Sequence, residues 1–208
     1  MSDHVSSPVL GVLVSGRGSN LQAIIDAIDA GRLAARIGVV IANQKDAFAL
    51  ERAARAGIRT AVIEHRGWAS RAEFERALLE RLVEAGVNVV CLAGFMRILS
   101  PVFLEGAPGP VLNVHPSLLP AFPGVDAQRQ AWEHGVTVAG ATVHLVTPEL
   151  DAGPIIVQAT VPVLPDDTPD TLAARILVEE HRILPDAIAA VARQGWRLDG
   201  RRFIHAPA

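Results

Sequence analysis

Three residues in the second half of the chain carry side chains suited to acyl transfer: Asn113, His115 and Asp151. Asn113 and His115 stand two apart in Val111-Leu-Asn-Val-His115, and alternate residues of a strand share a face. The amide and the imidazole therefore project together, while Leu112 and Val114 point the other way. Pro116 holds His115 extended and ends the strand. An amide N–H beside an imidazole is a pair able to stabilise negative charge on a carbonyl oxygen under attack. A lone histidine is more often structural than catalytic; the neighbouring amide weighs against that, and spacing alone leaves both readings standing. Asp151 lies in Thr147-Pro-Glu-Leu-Asp-Ala-Gly-Pro154, a loop shaped by two prolines and a glycine. A carboxylate near His115 would favour the imidazolium and could take a proton from an attacking amine. The alternative is an aspartate that forms the turn and does nothing else. His144 shares a strand face with Thr142 and is open to reading as a satisfied core histidine. His4, His65, His134, His181 and His205 are scattered, and nothing has metal-ligand spacing.

A second candidate is Ser15-Gly-Arg-Gly-Ser-Asn20, between a strand pattern and a helix pattern. Glycine allows a sharp turn and close approach of the backbone to a ligand. The free N–H groups and partial positive charge of a helix N-terminus attract phosphate. A dinucleotide fingerprint would need glycine at position 21, where Leu21 stands, and an acidic residue near Asn43. No Gly-Lys-Ser/Thr follows, so a P-loop is excluded. A single phosphate monoester fits better; a plain tight turn capped by Ser19 fits equally.

These residues need a scaffold, and the hydrophobic pattern supplies one. Val9 to Ser15, Ile37 to Ala42, Thr60 to Ile63 and Val87 to Leu92 read as strands. Helices are expected over Asn20 to Ala30, Ala47 to Ala56 and Ser70 to Ala85, the last opened by a Ser70/Glu73 capping box. Such alternation implies a parallel sheet with helices on both faces. Further on, Val111 to His115, Val138 to Val146 and Ile155 to Pro162 are strands, and Gln128 to His134 is a short helix. The last two strands are joined by a connection of about eight residues, long for a hairpin and a common place for function. Thr168 and Pro169 open a final helix to about Arg193, expected to bend near Pro185. One α/β domain over 1–208 is the expected organisation.

Composition narrows the function classes. Of 208 residues half are hydrophobic and 20% charged, with a net charge of −3, which suits a globular chain without a basic nucleic-acid surface. Lys45 is the only lysine and sits in no context for pyridoxal phosphate chemistry. The one cysteine, Cys91, lies in an apolar run and reads as a buried structural thiol. Neither a signal peptide nor an apolar run of roughly 18 residues is present, so no membrane partner and a cytoplasmic location are expected.

Gly16-Arg-Gly-Ser-Asn-Leu21, Leu92-Ala-Gly-Phe-Met-Arg-Ile-Leu-Ser100, Asn113-Val-His-Pro-Ser-Leu-Leu-Pro120, Phe122-Pro-Gly124, Thr142-Val-His144 and Asp151-Ala-Gly-Pro154 together resemble the glycinamide ribonucleotide formyltransferases. The resemblance runs from about Val9 to Leu198. It implies a Rossmann-like sheet, parallel in the N-terminal half with antiparallel strands in the C-terminal half. It implies formyl transfer from 10-formyltetrahydrofolate, without a metal, to the amine of a phosphoribosylglycinamide. Gly18, Ser19 and Asn20 would hold the substrate phosphate and Glu180 the ribose hydroxyls. Met96, Arg97, Ile98 and Leu99, with Thr147, Pro148, Glu149, Leu150 and Asp151, would line the folate pocket, with Arg71 and Asn113 beside it. Asn113, His115 and Asp151 would carry the chemistry. The partners are then small molecules, and the assembly a monomer or homodimer. Some members carry histidines where this chain has Asp126 and Gln128, so neither receives a role.

Three rival readings are weaker. A methionyl-tRNA formyltransferase would add a C-terminal domain and a basic surface, and a formyltetrahydrofolate hydrolase an N-terminal regulatory domain. A binding module without turnover would be expected to lack one of Asn113, His115 and Asp151. A nicotinamide oxidoreductase conflicts with Leu21 and Asn43.

Overall fold

The computed structural model describes residues 7–193 and 195–206; His4 lies outside them. The elements follow the order β1 (Val9–Val14), α1 (Ser19–Asp29), β2 (Arg36–Ala42), α2 (Phe48–Arg55), β3 (Thr60–Val62), α3 (Arg71–Glu84), β4 (Val89–Leu92), α4 (Pro101–Gly106), β5 (Val111–His115), α5 (Ala127–Glu133), β6 (Val138–Leu145), β7 (Ile155–Pro162), α6 (Pro169–Ala192), β8 (Arg197–Asp199) and β9 (Arg202–Ile204). They form one nine-stranded sheet in the order β3-β2-β1-β4-β5-β6-β7-β9-β8. β1 to β5 are parallel, β6 and β7 antiparallel, as expected. The strand order reverses between β1 and β4, and the crevice beyond the carboxyl ends at such a reversal is where open α/β sheets bind ligands.

Alternation along the strands builds two cores. Leu10, Val12, Val14, Leu112 and Val114 face one side and pack with Leu21 and Ile24 of α1 and Leu172, Ile176 and Ile183 of α6. Leu13, Ile41, Val90, Leu92 and Val111 face the other and pack against Phe74, Leu78 and Leu82 of α3 and Phe103 of α4. Because Val111 belongs to this second side, Asn113 and His115 project there too, past the end of the helical cover. Cys91 is fully buried, and burial pushes its thiol up to about 12, so it stays an inert core group.

Several local expectations are corrected. The cap of α1 is Gly18 in the left-handed region, not Ser19, and no side chain caps that helix. Ser70 accepts from the Glu73 N–H, but the Glu73 carboxylate returns to the Ala69 N–H rather than closing a box on Ser70. The complete box is at α6, between Thr168 and Thr171, and α6 runs on through Pro185. The helix α4 and the hairpin β8–β9 are additions; both are short, below the length at which periodicity shows.

Candidate active site

Strand pairing assembles the centre of the site. In the β5–β6 ladder Asn113 stands opposite His144 and His115 opposite Thr142, so all four side chains share one sheet face. The β6–β7 loop supplies the fifth group. It leaves β6 beside the start of β5, where the Val146 N–H bonds the Val111 carbonyl at 2.8 Å, yet Asp151 meets His115 at the end of that strand. The loop therefore folds back along the sheet face. Asp151 adopts φ 49, a left-handed conformation that Asp tolerates better than most side chains, and this aims its carboxylate inward.

The contacts are close and largely shielded. Asp151 Oδ2 lies 3.4 Å from His115 Nδ1, with both side chains under a tenth exposed. The same oxygen accepts the Gly124 N–H at 2.8 Å. His115 Nε2 sits 2.9 Å from the Phe122 carbonyl, which can only accept, so Nε2 carries a hydrogen and Nδ1 is the nitrogen free to gain or lose one. Burial works against the charged form of Asp151. The His144 imidazole, the Gly124 N–H and His115 outweigh it and hold the carboxyl below its ordinary range. The pair His115–Asp151 is thus a buried couple with the chemistry to exchange a proton, and Asn113 adds an amide beside it.

Behind the couple, Thr142 donates to the Ser117 carbonyl at 2.7 Å and accepts the Leu119 N–H at 3.1 Å. This ties β6 to the turn that delivers the Phe122 carbonyl. Beside it, Glu75 of α3 is almost wholly buried, and its carboxylate accepts from Arg71 Nε at 2.9 Å, from the Ser100 N–H at 2.9 Å and from the Ser100 hydroxyl. Arg71 also donates to the Ile98 carbonyl. One carboxylate therefore holds the C-terminal end of the segment Met96–Leu99, directly at Ser100 and through Arg71 at Ile98, while the Ser15 hydroxyl accepts the Met96 N–H at 2.9 Å. Within that segment Met96, Arg97 and Ile98 are exposed while Leu99 is buried against the α3 core. Pro148, Glu149 and Leu150 are exposed on the Asp151 loop, and Thr147 is partly covered.

The glycine-rich turn forms a separate part of the site. The first helical bond of α1 runs from the Gln22 N–H to the Gly18 carbonyl at 3.0 Å, so the N–H groups of Ser19, Asn20 and Leu21 face out of the helix end. Asn20 Nδ2 donates to Glu180 Oε2 at 2.8 Å, joining α1 to α6. Burial pushes the Glu180 carboxyl up, and the Asn20 bond only partly offsets it. Arg52 of α2 donates to the Arg17 carbonyl at 2.9 Å, and a cleft of about 310 Å³ beside Ser19 is lined by Arg32, Arg52 and His181 among others.

The family resemblance groups Asn113, His115 and Asp151, and the structure brings them together; it assigns Asn20 and Glu180 to different parts of the substrate and does not foresee the bond between them. Sequence reading missed Glu75, whose signal is a carboxylate at an apolar helix position between Phe74 and Leu78. It also missed the Phe122 carbonyl and the Gly124 N–H, backbone groups that no residue type announces.

The formyl transferase family model matches residues 10–188, and the chain belongs to that family. It is 46% identical to the phosphoribosylglycinamide formyltransferase of Escherichia coli over 93% of this chain and 89% of that one. It is 49% identical to the human trifunctional purine biosynthetic protein adenosine-3 over 88% of this chain, which spans 18% of that much longer protein. Among solved structures, glycinamide ribonucleotide transformylase 1 of Symbiobacterium toebii superposes with a TM-score of 0.94 at 52% identity, covering 97% of this chain and 95% of that one. Among the described residues no helix is long and apolar enough to cross a membrane.

Proposed function

We propose that this chain, as one formyltransferase domain in the cytoplasm, transfers the formyl group of 10-formyltetrahydrofolate to the amine of phosphoribosylglycinamide in purine synthesis. The observation that carries the reading is the return of Asp151 to within 3.4 Å of His115, beside Asn113 and in a buried setting. The folate supplies an activated formyl group, and exposed Met96, Ile98 and Leu150 offer the apolar walls that a flat ring system needs. As the amine attacks, Asn113 donates an N–H to the formyl oxygen. His115 with a proton on Nδ1 adds positive charge there. Asp151 keeps that proton in place, takes the one the amine releases and passes it to the folate nitrogen as that departs. Neither step calls for a metal. At the other end, the open N–H groups of Ser19 and Asn20 suit a phosphate, and Glu180 suits ribose hydroxyls.

An absorbance assay of folate product, with and without the nucleotide, tests this for the wild type and His115→Ala. Turnover should require the nucleotide and fall on the order of 10²–10³-fold in the variant. Nucleotide-independent release would make the chain a hydrolase instead.

Glu75→Gln should raise the folate KM about tenfold and leave the nucleotide KM unchanged. A neutral amide cannot satisfy two Ser100 donors and Arg71 together, and the Met96–Leu99 segment loosens. Steady-state kinetics in each substrate checks it; equal changes in both KM values would refute the division. Glu180→Gln should weaken the nucleotide and yet raise the melting temperature at neutral pH. A carboxyl raised in the folded state contributes stability at low pH that is lost as pH rises through its folded value. The advantage of the glutamine should therefore vanish in acid, which melts at two pH values would reveal.

A further inference from the structure

The cleft beside the glycine-rich turn belongs to no step of the proposed reaction. It holds about 310 Å³ and is lined by Ser19, Gln22 and Asp26 of α1, by Arg32 just past that helix, by Arg52 of α2 and by His181 of α6. Residues three, four and seven apart stack on one side of a helix, so the cleft starts at Ser19 and runs down α1. Its charge is held in place. Arg52 Nε donates to the Arg17 carbonyl at 2.9 Å, Nη1 donates to Gln22 Oε1 at 3.1 Å, and the guanidinium lies 5.0 Å from the centre of the Phe48 ring. Among the described residues Nη2 has no partner, and neither Arg52 nor Arg32 forms an ion pair. Asp26 is the carboxylate on the lining. Gln22 Nε2 donates to it at 2.9 Å, so the glutamine stands between that carboxylate and the guanidinium. His181 lines the cleft with Nε2 buried and unpartnered, and a buried polar atom without a partner is one that a ligand can satisfy. A guanidinium fixed before an anion arrives loses little freedom on binding it.

We propose that this cleft is a polyphosphate subsite. It takes the further phosphates of a di- or triphosphate group whose first phosphate sits on the N–H groups of Ser19 and Asn20. Arg52 meets the second phosphate and Arg32 the one beyond it, two guanidiniums against the single carboxylate of Asp26. A substrate with one phosphate ends at the turn, and its ribose runs toward Glu180, so it makes no use of the cleft. A polyphosphate would therefore compete with the nucleotide and slow turnover. This rests on the reading of the turn as a phosphate cradle.

Steady-state inhibition by phosphate, pyrophosphate and tripolyphosphate in magnesium-free buffer, each titrated against the nucleotide, tests it. All three should compete, and each added phosphate should lower the inhibition constant roughly tenfold, the worth of one hydrogen bond between charged groups. Arg32 is exposed and lies outside the turn, so Arg32→Ala should keep the nucleotide KM and cancel most of the gain from pyrophosphate to tripolyphosphate. Arg52→Ala should cancel the gain from phosphate to pyrophosphate as well. Equal constants across the series, in a protein that phosphate does inhibit, overturn the subsite and leave the cradle standing. A gain that survives both substitutions overturns it too, since charge alone would explain it. If none of the three anions competes, the cradle falls and the subsite with it. AMP and ADP then separate the sources. Tighter inhibition by ADP assigns the subsite to nucleoside polyphosphates, and equal inhibition beside an intact inorganic series assigns it to the free anion.

Discussion

Asp151→Asn is expected to lower kcat roughly 10²–10⁴-fold while leaving the nucleotide KM close to wild type. Asparagine has the same shape, tolerates the φ of 49 and can still accept the Gly124 N–H, so the loop keeps its course. What it loses is charge and the ability to take a proton. The proposed nucleotide end of the site, Gly18, Ser19, Asn20 and Glu180, does not depend on that loop. A stability change should accompany the kinetic one. The Asp151 carboxyl is held below its ordinary range in the fold, so it contributes stability above its unfolded value, and that contribution disappears as pH falls through the folded value. The variant should accordingly melt below the wild type at neutral pH and approach it in acid. Kinetics and melts on the same preparations decide the matter, and wild-type turnover in the variant would end the proton-handling role of Asp151.

The second large effect belongs to Gly18→Ala. Gly18 has φ +70, and an added Cβ would lie 2.6 Å from the Ala49 Cβ and 2.8 Å from its Cα, on the first turns of α2. The left-handed conformation alone costs roughly 1–2 kcal/mol for a residue with a side chain. The clash must then be relieved by moving α1 away from α2, which misaims the N–H groups of Ser19 and Asn20. The nucleotide KM should rise on the order of 100-fold, with the folate KM little changed. Gly31→Ala is the control. Gly31 has φ +69 at the far end of α1 and nothing within 4 Å of the new Cβ, so it bears the conformational cost without the collision. If both variants bound nucleotide equally well, the turn would not be a phosphate cradle.

What could be read directly from residues follows from local rules. The period-2 pattern of Val111–His115 put Asn113 and His115 on one face before any fold was known, and the ladder with β6 keeps them there. The strand–helix alternation of the first half announced a parallel sheet because crossover helices demand it, and β1 to β4 pair accordingly. The antiparallel half was legible through the family motifs, since an apolar strand pattern carries no direction. Ser19 suits a cap by residue type, one of two readings the turn leaves open, but the positive φ needed to enter α1 falls to Gly18.

The sequence by itself determined the chemical inventory, an amide, an imidazole and a carboxylate, together with the turn and strand that hold two of the three. Only the tertiary structure decided that the loop after β6 doubles back over the sheet, so that Asp151 reaches the imidazole on β5, 36 positions earlier by residue number. The same holds for Glu75 clamping the Met96–Leu99 segment and for the Phe122 carbonyl choosing the working nitrogen of His115. The reason is physical. Periodicity and propensity report the few neighbours within a turn or a strand, whereas buried donors and acceptors are matched across the fold, by whichever segments the core brings together.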